Sequence, residues 1–270
     1  MNYRFFLIPF VFLLMGCEQR NKSNGNTYSG NTMLANKDTA SYKMVNFKRI
    51  SSYFQMNEDR MDTTFFEVDY PQFENEQMDS LINKTLLYDG EQNLEQAAES
   101  FLLGYDEFIE DNDNGIAKAA WFKKSKVTVH VNTPKIITFS NFTYEYTGGA
   151  HANYYTLYHN YDPVNNELIG LEAIIPDYKK QDLLRIAEKH FRKLENIDDT
   201  ASYSNQYFFD NQQFQLADNF ALLKDSLLFY YNVYEIKAYS EGPTPLKIPY
   251  EAIKDLFNAK GLHYIQSINH

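Results

Sequence analysis

The chain of 270 residues has one cysteine, Cys17, and its aromatic content rests almost wholly on Tyr and Phe, with a single Trp. One cysteine excludes an intramolecular disulfide and a Cys-rich zinc centre. Basic residues are short against acidic ones, 25 to 36, which leaves a net charge of −11. Such a chain lacks the clustered Lys and Arg that neutralise phosphates, so no nucleic-acid partner is expected. Past the N-terminus no apolar run is long enough to cross a membrane. The short signatures of catalysis and metal binding are missing: there is no G-x-S-x-G, no H-E-x-x-H and no His pair separated by one residue. No repeat recurs at solenoid spacing. The expectation is therefore no catalytic residue, no metal and no cofactor.

What is present is globular in composition, 44% hydrophobic and 23% charged. The 22 Tyr and 21 Phe favour pleated, half-buried surfaces and predict substantial β-sheet. Residues 1–17 read MNYRFFLIPFVFLLMGC. Arg4 precedes an apolar run from Phe5 to Met15 that is too short to span a hydrocarbon core of about 30 Å. It reads as a secretory leader. Its end, Leu14-Met15-Gly16-Cys17, resembles a bacterial lipobox, although Met15 is an unusual residue two places before the cysteine. Lipidation at Cys17 would tie the chain to a membrane, outside the cytoplasm. Residues 18–40 are rich in Asn, Ser, Gly and Thr and read as a flexible tether.

The body opens near Ser41. Thr64 to Tyr70 alternates partly and is expected to be a strand stopped by Pro71. Met78, Leu81, Ile82 and Thr85 follow helical spacing from Asn75 onward, and Leu94 to Ile109 forms a second, wider helical stripe. The period then becomes 2: Val127, Val129 and Val131 share one face, with Lys126, Thr128 and His130 on the other. Strands are expected over Ile136–Tyr146 and Asn153–Tyr161, with a turn at Asp162–Asn166. A helix follows over Asp182–Leu194, with Leu183, Ala187, Phe191 and Leu194 inward. Further strands are expected at Phe214–Leu216, Phe220–Leu223 and Ser226–Glu235, and Pro249 opens a short helix. Helices flanking antiparallel sheets, without regular βαβ alternation, predict an α+β fold.

Several segments together resemble one bacterial family. They are Phe66-Glu67-Val68-Asp69-Tyr70-Pro71-Gln72-Phe73 with Ile82-Asn83, then Tyr146-Thr147-Gly148-Gly149-Ala150-His151, then Asn160-Tyr161-Asp162. Tyr234-Glu235-Ile236-Lys237-Ala238-Tyr239-Ser240-Glu241-Gly242 and Ile248-Pro249-Tyr250 complete the set. Over residues 60–258 the chain resembles the RsiV/PdaC-like extracytoplasmic module. That module occurs in lysozyme-sensing anti-sigma factors, beside peptidoglycan deacetylase domains and in many lipoproteins. The resemblance implies two small α+β subdomains, each an antiparallel sheet packed by helices, here 41–150 (PdaC-like) and 151–270 (RsiV-like). It departs at Ala152, where the family often has Pro. With no stretch left for a deacetylase domain or for an anti-sigma output, the chain is expected to be the binding or sensing half alone.

Single residues were weighed on their chemistry. Gly148-Gly149 between Tyr-rich strands suits a tight connection with positive φ. His130, His151 and His159 near Glu145 suggest a metal cluster only if they converge; for His151, orienting a backbone carbonyl at the strand end is the favoured role. Glu110–Gly115 superficially matches a calcium loop, but Trp121 then stands where a bidentate Glu belongs. Tyr144, Tyr146, Tyr154, Tyr155, Tyr158 and Tyr161 must divide between core and surface, and outward ones offer rigid contact area. The expected function is a non-enzymatic envelope lipoprotein that binds an extracytoplasmic protein, lysozyme by the resemblance, or a cell-wall glycan. An enzyme or enzyme accessory acting on glycan is the alternative, and a purely structural lipoprotein is the third reading. Tyr146, Gly148, Gly149, His151 and Tyr239 are the candidate binding residues, because the two family signatures are expected to meet there.

Overall fold

The computed structural model describes residues 39–57, 60–87, 90–111, 119–204 and 206–269. The leader with Cys17, the tether up to residue 38 and residues 112–115 of the acidic loop lie outside the described residues. Two sheets organise the rest, and the fold is α+β as expected.

The first unit runs β1 (Tyr42–Asn57), β2 (Arg60–Phe73), α1 (Glu76–Thr85), α2 (Leu94–Asp111), β3 (Phe122–Asn132), β4 (Ile137–Tyr146), β5 (Asn153–Asp162) and β6 (Glu167–Leu168). Its strands lie side by side in chain order. Every pair is antiparallel except β2–β3. The exception has a simple cause: two helices separate β2 from β3, which is the length a parallel crossover needs. Pro71 does not stop β2. The Glu74 N–H bonds the Ser41 carbonyl, so by alternation Met44/Pro71 is a non-bonded pair. The missing N–H would point toward β3, whose pairing has already ended at Asp69.

Both helices begin where asparagine caps them. The Asn75 side-chain Oδ1 accepts from the Gln77 and Met78 N–H groups, and Asn93 Oδ1 accepts from Gln96 N–H at 2.9 Å. Met78 and Ile82 of α1, with Leu94, Ala97 and Ala98 of α2, are buried against the sheet face that carries Phe66, Val68, Val127 and Phe139.

The second unit contains α3 (Lys180–Leu194), β7 (Phe220–Leu222), β8 (Ser226–Tyr231), β9 (Thr244–Pro249), α4 (Tyr250–Ile253) and α5 (Ala259–Ile268), with the three strands antiparallel. Leu183, Ala187 and Phe191 face its core as expected, while Leu194 is 47% exposed. Phe191 is the hub. Its ring meets Tyr207 at 5.3 Å, Phe209 at 5.5 Å and Phe214 at 5.2 Å, with Tyr203 and Tyr231 slightly farther. Because these rings close on Phe191, Phe214–Leu216 forms no strand. The chain there follows the packing, with left-handed φ at Asn211 and Gln212. β8 likewise ends at Tyr231, before the expected Glu235, where a turn begins with Glu235 N–H bonded to the Asn232 carbonyl.

Residues 153–168 belong to the first sheet, so the expected division at 150/151 falls between two paired strands. The Gly148-Gly149 stretch is a hairpin connection, and the second core is built from Ile169 onward together with Val131 and Ile136. Asparagines join the units. On the side of β5 away from β4, the Thr156 and Tyr158 N–H groups donate to the side chains of Asn232 and Asn219. Asn160 in turn accepts the Leu222 N–H and donates to the Phe220 carbonyl. Side-chain amides thus complete the strand edge where no full strand pairs with it. α5 adds a second clasp: Tyr264 donates to buried Asp162 at 2.6 Å. Gly261 is needed there, since a Cβ would lie 2.8 Å from the Ile174 carbonyl oxygen.

Candidate functional site

β4 leaves the sheet at Tyr146 and β5 enters at Asn153, and the connection turns through Gly148 (φ 96°) and Gly149 (φ 99°). A side chain at either position would be strained. Tyr146 steadies the turn by donating its hydroxyl to the Gly149 carbonyl at 3.1 Å. His151 lies flat on Tyr239, ring centres 4.1 Å apart. The Ala152 carbonyl between them accepts twice, from the Tyr239 hydroxyl at 2.7 Å and from His151 Nδ1 at 2.9 Å. With Nδ1 donating, Nε2 is free to accept the Tyr234 hydroxyl at 3.3 Å. His151 therefore does orient a carbonyl at the strand end, and the two signature segments meet through it. Burial, then the nearby Tyr154, Tyr144 and Tyr234, pushes the Tyr239 hydroxyl above its ordinary pKa.

The second signature is a turn and not a strand. Tyr234 takes a positive φ of 66° and stays 55% exposed. Glu235 accepts the Asn232 N–H, and Ile236 is buried. Lys237 forms a buried ion pair with Glu195, both contacts at 3.1 Å. Glu235, Ile236 and Lys237 are thus spoken for by the fold, and Tyr234 and Tyr239 face His151.

Register shows what continues from this cluster. Phe65 lies opposite Phe122, Phe122 opposite Tyr146, and Tyr144 opposite Tyr154. Directly opposed residues share a face. The rings touch in two runs: Phe65–Phe122 at 6.1 Å and Phe122–Tyr144 at 5.1 Å, then Phe142–Tyr154 at 6.3 Å and Tyr154–Tyr239 at 5.6 Å. An aromatic band therefore crosses the face opposite α1 and α2, from β2 to the His151–Tyr239 stack. Phe142 and Tyr144 remain 39% and 38% exposed on it. Lys48 and Lys124 hold their ammonium groups over Phe65 at 4.5 and 5.2 Å. Of the six clustered tyrosines, Tyr144, Tyr146, Tyr154 and Tyr158 share this open face, and Tyr161 is buried. Phe122, Phe142 and Tyr234 belong to the band and were not singled out from the sequence. The signal available for Phe142 was the i, i+2, i+4 series Phe142, Tyr144, Tyr146 on one strand.

The three histidines do not converge. His130 bonds Ser140 at 2.8 Å and packs on Tyr158, which lowers its pKa by desolvation. Ser140 lies about 20 Å along β4 from the Gly148 turn. His159 points to the helix-covered side, stacked on Phe139 at 5.0 Å, and burial lowers its pKa. Glu145 stands opposite buried Lys123, whose pKa burial lowers to about 8 against the pull of Glu145 and Glu91. Among the described residues no group of three His, Cys, Asp or Glu is placed to hold a metal. No described helix is long and apolar enough to cross a membrane.

Comparison with known proteins now places the chain. The family described as "Deacetylase PdaC" matches residues 57–154, and "Protein of unknown function (DUF3298)" matches residues 173–251. The chain carries a PdaC/DUF3298-like module. A crystal structure of a DUF3298 family member from Bacteroides fragilis shares its fold, with a TM-score of 0.63 at 21% identity, over 86% of this chain and 99% of that one. A DUF3298 family protein from Pseudomonas aeruginosa PAO1 gives a TM-score of 0.61 at 19% identity, over 83% and 96%. No curated protein matches. The PdaC match ends inside β5, one residue after the strand begins. The DUF3298 match contains α3, the Phe191 core and the Tyr234–Tyr239 turn.

Proposed function

We propose that this PdaC/DUF3298-like module is the folded part of a cell-envelope lipoprotein, held to a membrane through lipid on Cys17 and lying outside the cytoplasm. It binds an extracytoplasmic protein on its aromatic band, without catalysis. The observation that carries the reading is the band itself: rings on one face of four neighbouring strands, paired across each strand boundary, with Phe142, Tyr144 and Tyr234 turned to solvent. Contiguous exposed aromatic surface marks interaction sites, and Tyr gives rigid contact area at low entropic cost. A sheet face is broad and shallow, which suits a protein surface better than a small molecule, whose sites are concave. A net charge of −11 steers a cationic partner toward the body. Together with the resemblance to lysozyme-sensing modules, that charge makes a basic lysozyme the first partner to test, and a cell-wall glycan the second.

The enzymatic alternative draws on the matched family name, which refers to a deacetylase. It would need carboxylates or histidines converging on one pocket, and His130, Glu145 and His151 lie on different faces or at different ends of the sheet. Calorimetry at low and moderate salt tests the binding reading. Saturable one-to-one heat with basic lysozyme that persists at moderate salt is expected. Heat that disappears as the Debye length shortens would reduce the encounter to opposite charge and refute a shaped interface.

A further inference from the structure

The other side of the same sheet holds a concave feature. A cleft of about 1370 Å³ opens between the start of β1, the end of β2, α1 and the first turn of α2. Its aromatic lining is Tyr42, Phe47, Tyr70 and Phe73, and its polar lining includes Gln72, Asp79 and Asn83. These groups are held in place by their neighbours. Tyr42 packs on Phe73 at 4.9 Å, and Phe47 is fixed edge-on to Phe66 with the Arg49 guanidinium over its ring at 4.4 Å. Asp79 accepts the Phe73 N–H at 3.2 Å with one oxygen and the Asn83 amide at 3.3 Å with the other. The Tyr70 hydroxyl is a donor at neutral pH, and burial, then the charge of Asp79, pushes its pKa further up.

The chemistry of this lining narrows the ligand. An anion is disfavoured, because Glu74, Glu76, Asp79 and Glu95 outnumber Lys43 and Lys84 around the rim. A bare cation has little to gain, because Glu95 is already taken by Arg49 and both Asp79 oxygens are bonded. A wholly apolar ligand would leave the Gln72 amide and the Tyr70 hydroxyl unmet. What remains is an uncharged molecule with flat apolar faces and a rim of hydroxyls. The volume exceeds the roughly 300–1,000 Å³ of a drug-sized site, which calls for an extended ligand.

We infer that this cleft is an oligosaccharide-binding site, with Tyr42 and Tyr70 against pyranose faces and the Gln72 amide and Tyr70 hydroxyl bonding hydroxyl groups. It is independent of the aromatic band, from which it is separated by the sheet. The test is calorimetric titration of the protein with three uncharged tetrasaccharides: chitotetraose, cellotetraose and mannotetraose. Saturable binding of at least one is expected, weakened tenfold or more by Tyr70→Ala and by Gln72→Ala. Gln72→Ala touches no core contact and leaves the melting temperature in place, so loss of binding there cannot be blamed on misfolding. Binding is expected to be unchanged in Tyr144→Ser, which separates this site from the band. No binding by any of the three sugars, or equal affinity in both cleft variants, would overturn the inference.

Discussion

Both units are rich in aromatic rings and use them in opposite ways. In the second unit the rings of Tyr203, Tyr207, Phe209, Phe214 and Tyr231 turn inward onto Phe191, mostly edge to face. In the first unit Phe65, Phe122, Phe142, Tyr144 and Tyr154 line the open face of a sheet whose other face is already packed by helices. The same residue types thus serve stability in one unit and leave a contact surface in the other. What separates the two cases is strand alternation: with one face of β4 assigned to the core, Phe142 and Tyr144 on the other face stay 39% and 38% exposed.

That contrast can be broken by substitution, and the largest effect is expected at the hub. Phe191→Ala removes the ring on which the second core closes and should cost about 3–5 kcal/mol, read by denaturant unfolding. A loss under about 1 kcal/mol would mean that the surrounding rings do not depend on the hub. Next comes the clasp between units. Tyr264→Phe deletes a hydrogen bond to a buried carboxylate and should cost about 1.5–3 kcal/mol. Burial would raise the pKa of Asp162, but bonds from Tyr264, Asn165 and Val164 hold it below the ordinary 3.8 of an aspartate. Its stabilising contribution is therefore present above pH 3.8 and lost as the pH falls further.

A smaller effect is expected from His159. Its Nε2 is buried with no partner among the described residues, and burial holds its pKa below 6.5. The unfolded chain then binds the proton more readily, so stability is present above pH 6.5 and declines as the pH falls below it. A His159→Phe variant should show a flatter melting temperature between pH 6.5 and 5. An unchanged slope would assign the decline to other groups. Smallest of all is the cost of removing exposed rings: Tyr144→Ser and Tyr234→Ser should each shift stability by no more than about 0.5 kcal/mol.

Elements with a strong period were legible from residues alone: α1, α2 and α3, and the β3–β4–β5 meander. The rest was hidden for definable reasons. β9 alternates cleanly in burial, but Pro245 and Pro249 disguise it, and an edge strand tolerates them. β1 is another edge strand, and its mixed burial gives no clear alternation. α5 is short and carries Gly261 for a close approach to Ile174, so its helical pattern is weak. Phe214–Leu216 reads as a strand by composition, and tertiary packing on Phe191 overrides it. At the candidate site, the meeting of His151 with Tyr239 was legible because each segment carries a motif. Tyr234 as a partner was not, because its inward or outward aim depends on a positive φ that no local pattern announces.

The most direct measurement is the affinity of basic lysozyme, at moderate salt, for the protein and for a Tyr144→Ser/Tyr234→Ser double variant. The account predicts saturable binding that the double variant weakens on the order of 30-fold, as loss of a hot spot worth about 2 kcal/mol would, with the melting temperature nearly unchanged. Equal affinity in the two proteins, or no binding by either, would contradict it.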